Sequence, residues 1–264
     1  MFKRLFSPRA ERVAVTASIP AGERVYAVGD IHGRLDLLDD LLARMETDEA
    51  AREPATSSLI FLGDLVDRGP QSAHVVERLL QLRKQRADVR FLLGNHEEIF
   101  LLSLAGDVEA LRLFCRVGGR ETILSYGMSE EEYDGLDFRE LSDRLPALIP
   151  ASHRAFLEAF EDVIVLGDYA FVHAGVKPGV PLALQRTEEL RWIREPFLSH
   201  RQPFEKFVVH GHTITDAVDD AGVRIGIDTG AYRSGRLTAL GLEGERRWIV
   251  DTVDGIRPML DPSP

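Results

Sequence analysis

Three segments of the chain share one design, an apolar run, a glycine, a short polar cluster and then a helical pattern: RVYAVGDIHGRLDLLDDLLARM, SLIFLGDLVDRGPQSAHVVERLLQL and VRFLLGNHEEIFLLSL. Leu35, Leu38, Leu41 and Leu42 recur at helical spacing after the first cluster, as Val75, Val76, Leu79 and Leu80 do after the second. Strand, loop and helix repeated three times define an α/β layer. In such sheets ligands gather at the carboxyl ends of strands. All three polar clusters fall there. A helix cap would explain one Asp at such a place, but not the histidine, asparagine and arginine that stand beside the acids.

From about residue 98 to 162 the chain turns helical, with VEALRLFCRV and ASHRAFLEAFED and no convincing strand. This stretch reads as a helical insertion packed beside the site, and it contains GGRETILSYG (118–127), glycine-rich at its start and polar. After residue 162, DVIVLGDYAFVHAG, KFVVHGHT, VRIGIDTG, RLTALGL and RRWIVDT are short apolar runs broken by Gly and Asp. Two of them end in further histidines, His173 and then His210 with His212. An α/β half followed by a β-rich half predicts two sheets packed face to face with helices outside. One domain is expected over 21–255, with a flexible arm over 1–20 and a loose, proline-rich tail over 256–264.

The chain has 264 residues, 44% of them hydrophobic, enough for one large domain with a substantial core. No apolar run approaches the roughly 18 residues that span a bilayer. The net charge of −11 argues against general binding to nucleic acid or anionic lipid. A phosphate-bearing substrate would have to be met locally, by a few arginines or by bound cations. Lys3 and Arg4 could open a secretory signal, but Pro8, Arg9, Glu11 and Arg12 interrupt any apolar segment. Cys115 is the only cysteine, so no internal disulfide forms and a cytoplasmic setting is expected.

In chain order the polar residues after strands are Asp30 and His32; Asp64 with Asp67 and Arg68; Asn95 with His96; His173; and His212. Carboxylate, imidazole and amide oxygen together suit manganese, iron or zinc. Two such ions about 3.5–4 Å apart can generate hydroxide and clamp a phosphoryl group, with a shared carboxylate as the natural bridge. Gly29, Gly63, Gly94 and Gly211 each precede a candidate ligand, where a backbone without Cβ can turn sharply and approach an ion closely.

GDIHG at 29–33, GDLVDRG at 63–69, GNHE at 94–97, HAG at 173–175 and GHT at 211–213, in this order, resemble the calcineurin-type metallophosphoesterases, in particular their serine/threonine protein phosphatase branch. IDTGAYRSGRLTAL (227–240) resembles that family's closing strands. The resemblance implies mixed sheets in an α/β/β/α sandwich and two divalent metal ions, manganese first, with iron or zinc as alternatives. It implies that Asp30 and His32 hold one ion, that Asn95, His173 and His212 hold the other, and that Asp64 bridges them. A hydroxide between the ions would attack phosphorus, His96 would protonate the leaving oxygen with Asp67 orienting it, and Arg68 and Arg194 would bind phosphate oxygens. For His210 a supporting or packing role is expected. For His153 the expectation is solvated surface, and Tyr232 and Arg233 could line the cleft.

On this reading the substrate is a phosphorylated protein or a small phosphoester, with neither nucleic acid nor membrane as partner. The main rival is a hydrolase of dinucleoside polyphosphates, whose family pattern usually has alanine where Asp67 stands and aspartate where Glu97 stands. A phosphodiesterase or nuclease ranks lower, because the wider superfamily often ends in GHxH and position 214 is Ile. An inactive metal-bound interaction module ranks lower too, since His96, Asp67 and Arg68 are all present.

Overall fold

The computed structural model describes residues 16–259. The three repeats are strands β1 (Glu23–Val28), β2 (Thr56–Phe61) and β3 (Val89–Phe91), parallel neighbours in which Glu23 lies opposite Thr56 and Leu59 opposite Val89. Helices α1 (Leu35–Ala50), α2 (Ser72–Gln85) and α3 (Asn95–Leu104) follow them. Each of the first two helices buries one stripe, Leu38, Leu41, Leu42 and Met45 on α1 and Val75, Val76, Leu79 and Leu82 on α2. The expected insertion is a succession of helices up to residue 158.

A hairpin of β4 (Val163–Leu166) and β5 (Tyr169–Val172) opens the second sheet, and β6 (Phe207–His210), β7 (Asp219–Asp220) and β8 (Arg224–Gly226) complete it in the order β4-β5-β6-β8-β7. The remaining runs do not join it. Strands β9 (Thr238–Glu243), β10 (Arg246–Asp251) and β11 (Gly255–Pro258) return to the first sheet, whose order is β11-β10-β9-β1-β2-β3. There β9 runs antiparallel along the free edge of β1. A fully buried central strand needs hydrogen-bonding partners on both edges, and β9 supplies the second.

Side-chain alternation sorts the first sheet's residues into two dry layers. Tyr26, Val28, Leu59, Phe61, Val89 and Phe91 point to the helices. Val25, Ala27, Ile60, Leu240 and Leu242 point to the second sheet and meet Phe171, Phe207, Val209 and Ile225. Beyond the second sheet a third cluster includes Val172, Val208, Leu190 and Phe197. Burying one such large side chain stabilises by about 1.5–3 kcal/mol. Ile60→Asp would place an unpaired carboxylate between the sheets and should prevent folding. The result is two mixed sheets, face to face, with helices on both outer sides.

Two expected boundaries move. Ala17 and Ile19 are buried and the Ile19 N–H donates to the Gly244 carbonyl at 2.9 Å, so residues 16–20 belong to the folded body. The rest of the expected arm, 1–15, lies outside the described residues. Residues 256–258 of the expected tail belong to β11, which pairs with β10; residues 260–264 lie outside the described residues. No helix among the described residues is long and apolar enough to cross a membrane.

Candidate active site

Asp30 and His32 follow β1, Asp64, Asp67 and Arg68 follow β2, Asn95 and His96 open α3 behind β3, His173 follows β5 and His212 follows β6. The carboxyl ends of both sheets therefore deliver these residues to one place. Asp64 with His32 and His96, and Asp64 with His173 and His212, form two buried groups whose ligand atoms lie within 4.8 Å of one another. Asp64 is common to both.

The backbone is strained to achieve this. His32, Asp64, Asp67, Arg68 and His212 all have φ between 47° and 75°, and among the described residues no other non-glycine has positive φ. Each such residue costs about 1–3 kcal/mol, a cost that persists where surroundings over-determine the geometry and function gains by it. Here the surroundings are explicit. The Asp64 carbonyl accepts the N–H groups of Ile31 and His32 at 3.0 and 2.9 Å. The fully buried Glu97 carboxylate accepts those of Asp64, Leu65 and Gly94 at 2.8, 2.7 and 3.1 Å. A Cβ on Gly94 would lie 2.2 Å from Asp64 Oδ1, so the glycine lets the carboxylate sit against the backbone.

Hydrogen bonds fix the imidazole tautomers. His32 Nδ1 faces the Val66 carbonyl at 2.8 Å and His173 Nδ1 faces the Leu62 carbonyl at 2.7 Å. A carbonyl only accepts, so both Nδ1 atoms carry the proton and both Nε2 atoms present lone pairs. His173 Nε2 then lies 3.0 Å from Asn95 Oδ1 and 3.4 Å from Asp64 Oδ1, acceptor facing acceptor. His212 Nδ1 is 2.8 Å from the same Asn95 oxygen, and its buried Nε2 has no partner. Lone pairs converging in a buried site are stable around a cation. The donor set fits divalent metal, and second hydrogen bonds to backbone carbonyls are how metal-binding imidazoles are oriented.

Charges follow the same logic. Burial pushes the Asp30 carboxyl well above its usual range, with the charge of Asp228 adding to it, and raises Asp64. Burial also lowers His32 strongly, His173 to about 4 and His212 to about 2. The imidazoles are held neutral, the form that ligates metal, and the carboxylates are held short of a compensating positive charge.

Arg68 reaches into this cluster, its Nη1 donating to His32 Nε2 at 2.8 Å and its Nη2 to His96 Nε2 at 2.9 Å, with the Tyr232 ring 4.9 Å from its guanidinium carbon. His96 Nδ1–H donates to Asp67 Oδ2 at 2.6 Å. Arg194 does not join them. It is exposed on the rim of a neighbouring cavity of about 470 Å³ lined also by Lys177, Arg186, Glu189 and Trp192, near enough for its charge to lower His212. His210 packs on Phe197, its ring nitrogens facing Arg224 at 3.2 Å and the Gly211 carbonyl. His153 is buried rather than solvated, because Tyr126 at 2.9 Å and Glu77 at 2.8 Å satisfy both its nitrogens.

Three residues of the site were not picked out as such from the sequence. Glu97 ties the loops together as described. Asp228 follows β8, is buried, accepts the Gly230 N–H at 2.9 Å with one oxygen and leaves the other without a partner beside Asp30. Its place, directly after an apolar run, is the same signal that marked the other acids. Thr122 arrives from the helical insertion and donates to Asp67 Oδ1 at 2.7 Å, a contact across 55 residues.

Two mixed sheets that bring buried carboxylates, imidazoles and an amide to one point form the architecture of a metallophosphoesterase. The chain belongs to the calcineurin-like phosphoesterase family, whose sequence profile matches residues 23–226. It is similar to the symmetrical bis(5'-nucleosyl)-tetraphosphatase of Azotobacter vinelandii, 43% identical over 88 residues, a match that covers 33% of this chain and only 28% of that protein. The protein of the same name from Neisseria gonorrhoeae is 25% identical over 278 residues, covering 88% of this chain and 96% of its own length. Among solved structures, a putative diadenosine tetraphosphatase superposes with a TM-score of 0.61 at 24% identity, covering 90% of this chain and all of that one, which supports the fold.

Proposed function

We propose that this protein is a two-metal hydrolase that cleaves the phosphoric anhydride of a dinucleoside polyphosphate. The observation that carries the substrate class is the match to the Neisseria tetraphosphatase along 88% of this chain and 96% of that relative. This is the second of the two substrate readings weighed from the sequence. The cavity lined by Arg194 and Trp192 supports it through Arg194 alone, whose charge reaches His212, because Lys177 and Arg186 there are paired with Glu189 and Glu188.

In the proposed division of roles Asp30 and His32 hold one ion, Asn95, His173 and His212 the other, and Asp64 both. Two divalent ions there, manganese, iron or zinc, would supply a hydroxide nucleophile and neutralise phosphate charge. Arg68 meets the phosphate oxygens through its planar pair of N–H donors. Water's oxygen bonds to phosphorus as water gives up a proton, the bond from phosphorus to the leaving oxygen breaks, and that oxygen takes a proton from His96 Nε2. That nitrogen carries a proton once Arg68 turns from it to the phosphate, and the proton released by water replaces the one it gives. Asp67, 2.6 Å from Nδ1, holds the ring so that Nε2 faces the cluster and stabilises the imidazolium.

One observation favours a second reading, a phosphoserine or phosphothreonine phosphatase. A serine alkoxide is a poor leaving group that needs a well-held acid, which the Asp67 and His96 pair supplies, whereas a nucleotide phosphate departs readily without one. The two readings are separated by kcat/KM on diadenosine tetraphosphate and on a phosphoserine peptide, for wild type and Asp67→Ala. The first predicts that wild type prefers the dinucleotide. A wild-type preference for the peptide, lost in Asp67→Ala, would replace it with the second.

A further inference from the structure

The GGRET stretch at 118–122 lies 50 residues beyond the catalytic loop and belongs to the insertion, yet it is bonded to that loop at two successive residues. The Gly118 carbonyl accepts the Arg68 N–H at 3.0 Å. Thr122 Oγ1 accepts the Asp67 N–H at 2.9 Å and donates to Asp67 Oδ1 at 2.7 Å. Ser72 Oγ lies 3.0 Å from both the Asp67 N–H and Thr122 Oγ1. One assignment of protons satisfies every contact: Thr122 gives its hydroxyl proton to Asp67 Oδ1, Ser72 gives its own to Thr122 Oγ1, and the Asp67 N–H is shared between the two hydroxyls. Asp67 and Thr122 are fully buried, so water cannot replace a missing partner.

We infer that the helical insertion is a positioning element for the catalytic loop, with Thr122 setting the Asp67 carboxylate and Gly118 setting Arg68. This rests on the proposed role of His96 as proton donor. With Oδ1 tied to Thr122, the carboxylate cannot rotate, and Oδ2 is left to the His96 Nδ1–H at 2.6 Å. Burial pushes the Asp67 carboxyl well above its usual range, and the bond from the Thr122 hydroxyl pulls it back toward the ionised form that stabilises imidazolium. Gly118 acts on the neighbouring residue. Its φ is 120° and a Cβ there would lie 2.8 Å from the Arg68 backbone nitrogen, so any side chain would displace Arg68. The two contacts serve different tasks, and their losses should differ in kind. Thr122→Val keeps the shape and removes the donor, so it should lower kcat on substrates with poor leaving groups. Gly118→Ala should raise KM for all substrates.

The test uses zinc-loaded enzyme and aryl phosphates with leaving groups from phenol to dinitrophenol. Thr122→Val is expected to lose about tenfold or more in kcat on phenyl phosphate and little on the dinitrophenyl ester, within the range that general acid help spans. Thr122→Ser should restore the phenyl phosphate rate. The low-field proton resonance of His96 Nδ1–H, assigned by its absence in His96→Asn, should shift or broaden in Thr122→Val and return in Thr122→Ser, a readout independent of turnover. A Thr122→Val enzyme with the wild-type leaving-group dependence and the wild-type resonance overturns the inference. Should Thr122→Val fail to fold, Thr122→Ala is judged by the same two readouts. His96→Asn separates the two levels: equal loss on every ester would overturn the proton-donor role itself, whereas selective loss in His96→Asn without any in Thr122→Val would overturn only the role of Thr122.

Discussion

Glu97→Gln should destabilise the protein out of proportion to a change of one atom. The Glu97 carboxylate is fully buried, and Oε2 accepts the N–H groups of Asp64 and Gly94 while Oε1 accepts those of Leu65 and Val66, the last at 3.3 Å. In glutamine one oxygen becomes an NH2 group that can only donate, so whichever way the amide is turned two backbone donors lose their acceptor. A buried unsatisfied donor costs about 1–3 kcal/mol, giving about 2–6 kcal/mol for the pair, against a total stability of about 5–15 kcal/mol for a domain. Urea unfolding of metal-free protein at about pH 9, above the value of about 7 to which burial raises Glu97, followed by circular dichroism, should show the midpoint falling by about 1 M or more. Because these N–H groups hold the loop that carries Asp64, manganese affinity should fall in the same variant. A midpoint within about 0.2 M of wild type would refute the argument that Glu97 organises the loops.

His96→Asn should cost about 10²–10⁴-fold on phenyl phosphate and far less on an activated nitrophenyl ester, as steady-state kinetics would record. His32→Ala should chiefly weaken one of two manganese sites, leaving a single tight site in calorimetric titration, since His32 joins only one of the two ligand groups. Burial holds His173 near pH 4 for protonation. Its contribution to metal-free stability is therefore present above pH 6.5, where both states are neutral, and is lost as pH falls from 6.5 to 4, because only the unfolded chain takes up the proton. The stability difference between wild type and His173→Asn should shrink by about 3 kcal/mol over that window, and a pH-independent difference would contradict it.

The candidate metal-ligand cluster was legible because its residues are local to a strong pattern: each follows an apolar strand, and a glycine precedes most of them. Asp228 carries the same mark, but DTG lacks the histidine, asparagine or arginine that drew attention to the other clusters. Thr122 was beyond reach for another reason. Its role depends on a contact across 55 residues, fixed by how the insertion folds back, and nothing in GGRET announces Asp67 as its partner. The division of strands between sheets was hidden likewise, since RLTALGL and RRWIVDT look like any other short runs, and only the open edge of β1 decides that they leave the second sheet. His153 looked like surface because its partners, Tyr126 and Glu77, come from segments distant in sequence.

Counting bound manganese while metal-free protein is titrated, with hydrolysis followed in the same samples, tests the shared role of Asp64 most directly. Activity should rise with the second ion to a plateau at two per chain, and Asp64→Asn should weaken both sites and abolish turnover. Full activity with one ion or none, or an Asp64→Asn variant that binds two ions as wild type does, would contradict the account.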